Sequence, residues 1–461
     1  PKLTEYSNNI YMNPGLFQRV KQVYDHKNNL RLTPEQTTLL QDTWKAFVKG
    51  GANLTGKARK RFQEITMELA RLSLKFEENI LAETNEYSLH ITDKQQLSGI
   101  PEGTLEMAAQ NAKEKGLEGW LFTLHAPSYI PFMKYADNRE LREKMYRAYS
   151  SRGNRGNQYD NNDIIRQMTA LRLEKARLLG YPTYAAYVLD NRMAQTPGNV
   201  TQFLNKLLEA SHPYALAEKK EVETFACRNG FKGELQRWDW TYYSNKLKQE
   251  KYNLDDEMLK PYFKLENVQQ GVFGLAHKLY GITFREVNNI PKYHEDVRTF
   301  EVHDRNGEFL AILYADFFPR ESKSGGAWMT EFRGQHKING LNIRPLVSIV
   351  MNFTKPTASK PSLLTFDEVT TFLHEFGHSL HGMLSQCTYN STGGTNVYRD
   401  FVELPSQLME NWALEKEWLD TWAVHYQTGE KIPQEYITRI REAANFQSGY
   451  QSDRQLSFGI V

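Results

Sequence analysis

Thr365-Phe366-Asp367-Glu368-Val369-Thr370-Thr371-Phe372-Leu373-His374-Glu375-Phe376-Gly377-His378-Ser379-Leu380-His381-Gly382-Met383 carries a structural signal and a chemical one. Thr365-x-x-Glu368 has the form of a capping box, which marks a helix start. Phe366, Val369, Phe372, Leu373, Phe376, Leu380 and Met383 then recur at helical spacing and make one apolar face. His374, Glu375 and His378 fall largely off that face. Residues four apart on a helix stand above one another, so the two imidazoles can reach one metal ion at about 2.0–2.1 Å. Glu375 lies about 100° round the helix. That places it beside such an ion rather than on it, where a carboxylate can serve as general base on water. His381, three residues beyond His378, reads either as a fourth ligand or as a packed side chain.

The pair needs a third ligand. Gly393-Gly394-Thr395-Asn396 reads as a loop. Asp400-Phe401-Val402-Glu403-Leu404-Pro405-Ser406-Gln407 then leads into a second helix running to about Trp418. Glu403, Gln407 and Glu410 share one side of that helix. Glu403 is the candidate third ligand. Gln407 and Glu410 either support a ligand imidazole from behind or pack and face solvent. Two neutral histidines and one carboxylate leave a zinc ion with an open position, which is the arrangement of hydrolytic sites. A lone His-Glu-x-x-His is weak evidence. The readable cap, the off-face placement and the downstream Glu403 strengthen it. The other nine histidines are isolated and read as structural or surface residues.

Away from this stretch the chain reads as mainly α. Apolar stripes run through Lys57–Leu89, Asn162–Leu179, Asn199–Cys227 and Pro261–Tyr280, and are expected to be core faces. Near residue 296 the pattern changes. Val297–Val302, the turn signal Asp304-Arg305-Asn306-Gly307 and Phe309–Tyr314 predict an antiparallel hairpin. Leu346–Phe353 is a further strand candidate. A small, mostly antiparallel sheet is therefore expected over about 296–353, next to the metal-binding helix. Ser324–Trp328 reads as an edge strand along a cleft or as a tight bend. Small residues at Gly325, Gly326 and Ala327 would let a substrate backbone pair there.

Composition excludes more than it identifies. Lys and Arg number 57 against 55 Asp and Glu, so no field points to nucleic acid or an anionic membrane. Hydrophobic residues make up 40%, enough for a sizeable core. No apolar run approaches the about 18 residues of a membrane-spanning helix. Cys227 and Cys387 cannot form a disulfide framework, which fits a reducing compartment. Pro1 is neither an initiating Met nor part of a signal peptide, so the natural N-terminus is expected to lie upstream. A cytoplasmic location is expected, with the periplasm left open.

Phe372–His378, followed by Asp400–Gln407, resembles the thimet oligopeptidase family of zinc peptidases. Glu174–Tyr181 is similar to a helix end that the family carries before its catalytic part. Asp316–Met329, and Gly394-Thr395-Asn396 before Arg399-Asp400-Phe401, look like its bacterial peptidyl-dipeptidase (dipeptidyl carboxypeptidase) branch rather than oligopeptidase A. The resemblance implies a zincin-like, multi-helical ellipsoid split by a channel, with one zinc at the floor held by His374, His378 and Glu403. It implies Glu375 as catalytic base, and short unstructured peptides as substrates that lose dipeptides from free C-termini. A monomer is expected, with residues 1–135 as an N-terminal helical region and 136–461 as the catalytic region. Family members run longer at both ends, and their substrate-binding Tyr and His residues lie beyond the point matching Val461. The chain is therefore expected to keep the metal ligands and lack part of the channel. Two other readings stay open: an endo-acting oligopeptidase of the same family, and a non-enzymatic peptide-binding protein with structural zinc.

Overall fold

The computed structural model describes residues 1–460. Its helices before the sheet include α1 (Gly56–Glu86), α2 (Arg139–Ser150), α3 (Asn162–Leu178), α4 (Pro197–Arg228), α5 (Arg237–Tyr252) and α6 (Leu265–Tyr280). Five strands follow: β1 (Thr283–Glu286), β2 (Arg298–His303), β3 (Phe309–Asp316), β4 (Trp328–Arg333) and β5 (Leu346–Val350). Then come α7 (Phe366–Met383), α8 (Leu404–Glu410) and, at the end, α9 (Ser448–Ile460). The fold is mainly α, as expected. Short two-stranded ribbons, Ser88–Ile91 with Trp120–Thr123 and His336–Ile338 with Leu341–Ile343, stand apart from the main sheet.

The strand order is β1-β2-β3-β5-β4. All neighbours are antiparallel except β3 and β5. The β2–β3 hairpin closes over Asp304–Gly307, where Asp304 Oδ1 accepts from Asn306 N at 2.8 Å and Glu308 N at 2.9 Å. That side chain replaces the missing ladder bonds of the turn. β1 extends the sheet beyond the expected limit of 296. It is short and mostly solvent-facing, so it carries little of the alternation that marks a half-buried strand. β4 is the edge strand at the other side.

α7 lies on this sheet. Thr365 Oγ1 accepts from Glu368 N at 3.1 Å, and Glu368 Oε2 accepts from Thr365 N at 2.8 Å. Glu368 also accepts from Thr354 N at 2.8 Å, which ties the helix start to the chain leaving β5. Val369, Phe372, Leu373, Phe376, Leu380 and Met383 are all buried. They pack with Leu313, Val347 and Ile349 of the sheet and Phe300 of β2 in one core. Burying each is worth about 1.5–3 kcal/mol, which fixes the polar trio on the opposite side of the helix.

Residues 91–148, joined by Trp238, build a second body of packing. Phe122, Phe132, Leu141 and Met145 centre a separate core. At its edge α2 meets α5 through Arg142 and Asp239, both essentially buried and paired at 3.1 Å, with Arg139 joining the same carboxylate at 2.8 Å. Arg142 also donates to the carbonyls of Ala136 and Trp238.

Two helices depart from the expectation of core faces. In α3 only Ala176 is buried, and Ile165 is 50% exposed. On α4, Phe203 and Leu207 are exposed, and burial begins at Ala215, where α9 crosses. Periodicity states which residues share a face; it does not state that another element covers it. Among the described residues no helix is long and apolar enough to cross a membrane.

Removing one partner of a buried ion pair leaves the other charge stranded, at a cost of about 3–5 kcal/mol. Asp239→Ala is therefore expected to lower the unfolding free energy by about that amount in urea titrations. A loss below about 1 kcal/mol would show that the α2–α5 contact does not depend on the pair.

Candidate metal centre

The site is built where α7 and α8 touch. Gly377 allows it: a Cβ there would stand 2.6 Å from Ser406 Cα and 2.7 Å from Pro405 O. Both atoms are backbone or close to it and have little room to move, so only glycine lets the helices approach this closely. Pro405 at the start of α8 costs no hydrogen bond, and Glu403 is the residue from which that helix begins.

At this crossing the two expected imidazoles converge on the expected carboxylate. His374 Nε2 lies 3.2 Å and His378 Nε2 3.1 Å from Glu403 Oε2. The rings are 4.9 Å apart and nearly perpendicular. One ligand atom from each residue falls within 4.8 Å of the others. Ser406 Oγ donates to Glu403 O at 2.7 Å and Oε2 at 3.1 Å, which holds the carboxylate in place.

The chemistry of this donor set fits a divalent cation. His374 Nδ1 donates to Glu410 Oε1 at 2.7 Å. That assignment leaves Nε2 of the neutral ring as a bare acceptor. With His378 Nε2 likewise unprotonated, three acceptor atoms would face one another, an arrangement that a shared cation relieves. Two ligands on a tetrahedral zinc at about 2.0–2.1 Å stand roughly 3.3 Å apart, close to the separations found. The Glu410 hydrogen bond raises the His374 pKa above its usual range, against the effect of burial. Burial pushes His378 below that range, which favours its neutral, ligating form.

Glu375 points into the same space without joining the trio. It is buried, and its Oε2 has no hydrogen-bond partner among the described residues. Burial, resisted by His374 and reinforced by Glu403, pushes its pKa up to about 7. A carboxyl held there is matched to taking and returning a proton near neutrality.

A cavity of about 730 Å³ opens on His374, Glu375 and Glu410. A second, of about 420 Å³, lies between the Ala126–Tyr135 helix and the start of α7. Asp256, Ala327, Asp367 and Thr371 line both, so the two adjoin. Thr371 and Asp367 lie four and eight residues before Glu375, on the same helix face.

The remaining candidates sort clearly. Of the two roles left open for Glu410, the structure shows the supporting one, through its hydrogen bond with His374 Nδ1. Gln407 is exposed, and among the described residues its side chain makes no hydrogen bond. The expected helix to Trp418 ends at Glu410 and passes into 3₁₀ turns, Asn411–Leu414, before Lys416–Leu419. His381 lines a different cavity behind α7, with Leu380 and Cys387, and is not part of the metal-binding group. Gly325-Gly326-Ala327 is the bend, not the strand: β4 begins at Trp328, and Gly326 has φ +90°. Gly326 and Ala327 line the second cavity; Ala327 also lines the first. Sequence reasoning missed Ser406 and the role of Gly377, because both depend on how two helices meet.

Residues 132–461 match the model of peptidase family M3. The whole chain is 39% identical to oligopeptidase A of Escherichia coli (strain K12), covering 68% of that protein. It is 37% identical to dipeptidyl carboxypeptidase of the same organism, covering 68% of it. It is 38% identical to an organellar oligopeptidase A, chloroplastic/mitochondrial, of Arabidopsis thaliana, covering 60% of it. These near-equal similarities do not separate the two bacterial branches.

Two substitutions probe the assembly of the site. Gly377→Ala is expected to force α8 away and weaken zinc binding by more than tenfold, with destabilisation of about 1–3 kcal/mol. Glu410→Ala is expected to weaken zinc binding by about 10–100-fold while leaving thermal unfolding of the metal-free protein nearly unchanged. Competition with a chromogenic chelator measures both; wild-type affinity in Glu410→Ala would remove its supporting role.

Proposed function

Because the chain belongs to peptidase family M3, we propose that it hydrolyses short peptides with one zinc ion held by His374, His378 and Glu403 and with Glu375 as general base. The observation that carries this reading is the meeting of two imidazole nitrogens on one carboxylate oxygen at 3.1 and 3.2 Å, beside a buried Glu375 whose Oε2 has no hydrogen-bond partner among the described residues.

The protein's own groups divide the work. When bound, zinc supplies a Lewis acid for the scissile carbonyl oxygen and acidity for water. Glu410 holds the proton of His374 on Nδ1, so Nε2 faces the cation site with its lone pair. Glu375 accepts a proton from the attacking water and delivers it to the amine that departs. The departing amine must lie beside Glu375. The face that continues through Thr371 and Asp367 leads from there into the second cavity, which offers room for the released segment.

Gly325, Gly326 and Ala327 are proposed to contact the substrate backbone. Ala327 lines both cavities, and β4 has an unpaired edge. For specificity we favour release of dipeptides from free C-termini, supported by the Asp316–Met329 and Gly394–Phe401 runs. The similarity to oligopeptidase A favours a second reading, cleavage inside short peptides.

Glu375→Gln is expected to keep one zinc per chain and to lower kcat by roughly 10²–10⁴-fold. Metal analysis and a peptide-cleavage assay test this together; unchanged turnover would remove Glu375 as the base. Amidating the substrate's C-terminus is expected to block cleavage. If an amidated peptide is cut as fast as its free acid, the enzyme is endo-acting.

A further inference from the structure

The segment from Asp316 to Ala327, between β3 and β4, is tied down by groups that take no part in the metal centre. Lys323 is buried, and its Nζ uses all three protons. They go to Phe318 O at 2.7 Å, Asp316 Oδ1 at 2.9 Å and Asp316 O at 3.1 Å. Arg320 grips the same carboxylate with both Nη atoms at 2.9 Å. Tyr293 Oη donates to Asp316 Oδ2 at 3.1 Å. Burying such charges is costly unless pairing repays it. The return here is a fixed shape: residues 316–323 close into a compact knot that delivers Ser324.

A second clamp takes over where the first ends. Asn352 Nδ2 donates to Ser324 O at 3.0 Å and to Gly326 O at 2.7 Å. Trp328 is the register partner of Val350. Beyond that last pair the chain leaves the ladder at the Gly326 bend, where the Asn352 side chain takes the carbonyl. The amide side chain therefore stands in for the ladder bond that β5 no longer supplies. Ala327 sits between that clamped carbonyl and the first residue of β4, and it lines both cavities. Among the described residues no hydrogen bond takes the Ala327 N–H or C=O.

We propose that Asn352 and Lys323 are positioning residues for peptide hydrolysis, holding Ala327 with its N–H and C=O turned outward so that a peptide strand pairs with it beside Glu375. The proposal rests on the peptidase reading above. Neither residue touches a reacting atom. Main-chain pairing of this kind gives affinity without reading side chains, which suits an enzyme acting on varied short peptides.

The test measures peptide affinity on the zinc-loaded chain carrying Glu375→Gln, where the peptide stays intact. Asn352→Ala and the isosteric Asn352→Asp are both expected to weaken binding roughly tenfold, with zinc content unchanged. Lys323→Met is expected to do the same and Lys323→Arg to restore part of the loss. Peptides methylated at one backbone nitrogen at a time supply the readout that a merely structural role would not move. One methylation is expected to cost about tenfold in the parent and nothing further in Asn352→Ala. Wild-type affinity in both Asn352 variants, or an undiminished methylation penalty in Asn352→Ala, overturns the proposal. Turnover by the unmodified chain separates the two levels. Cleavage with unaltered Asn352→Ala affinity sinks this proposal alone, whereas a chain that neither holds zinc nor cleaves peptide sinks the peptidase reading beneath it.

Discussion

The contact between α7 and α8 is the constraint on which the site depends. Two imidazoles four residues apart come from one helix at no tertiary cost, since helical geometry alone aligns them. The carboxylate must be brought from elsewhere. It arrives because Gly377 has no side chain to hold Ser406 and Pro405 away. Ser406 then fixes Glu403 from below, and Glu410, one helix length on, reaches back to His374. One close approach thus sets the third ligand and the imidazole's support together.

The same helix separates stability from chemistry. Its buried side carries six large apolar residues into the core under the sheet, so the helix cannot rotate without losing that burial. The side facing the cavity carries groups that are individually unfavourable. Glu375 is buried, with no hydrogen-bond partner for Oε2 among the described residues, and burial pushes its pKa up to about 7. An unpaired buried carboxylate costs stability; here the core on the opposite face supplies the margin. The Asp316 cluster repeats the pattern on the sheet side, with buried charge retained where backbone geometry matters.

Much of this was legible in the chain. The Thr365–Glu368 cap, the apolar face and the off-face His-Glu-x-x-His are local features, and local features survive translation from sequence to structure. The β2–β3 hairpin was legible for the same reason, through Asp304–Gly307. Glu403 could be placed because few residues separate it from a helix start. What could not be read was whatever another element decides. Ile165 and Phe203 have helical spacing yet face outwards. Glu410 and Gln407 look alike in sequence, and only the crossing angle of two helices makes one a partner of His374 and leaves the other in solvent. Gly325–Ala327 could be strand or bend until Asn352, far along the chain, was seen to take the carbonyls.

X-ray absorption at the zinc edge of the protein loaded with one equivalent of metal tests the central claim most directly. The account expects two imidazole nitrogens at about 2.0–2.1 Å and carboxylate oxygen at about 2.0–2.2 Å, with one imidazole lost in His378→Ala. A spectrum dominated by sulfur, or one unchanged by that substitution, would contradict it.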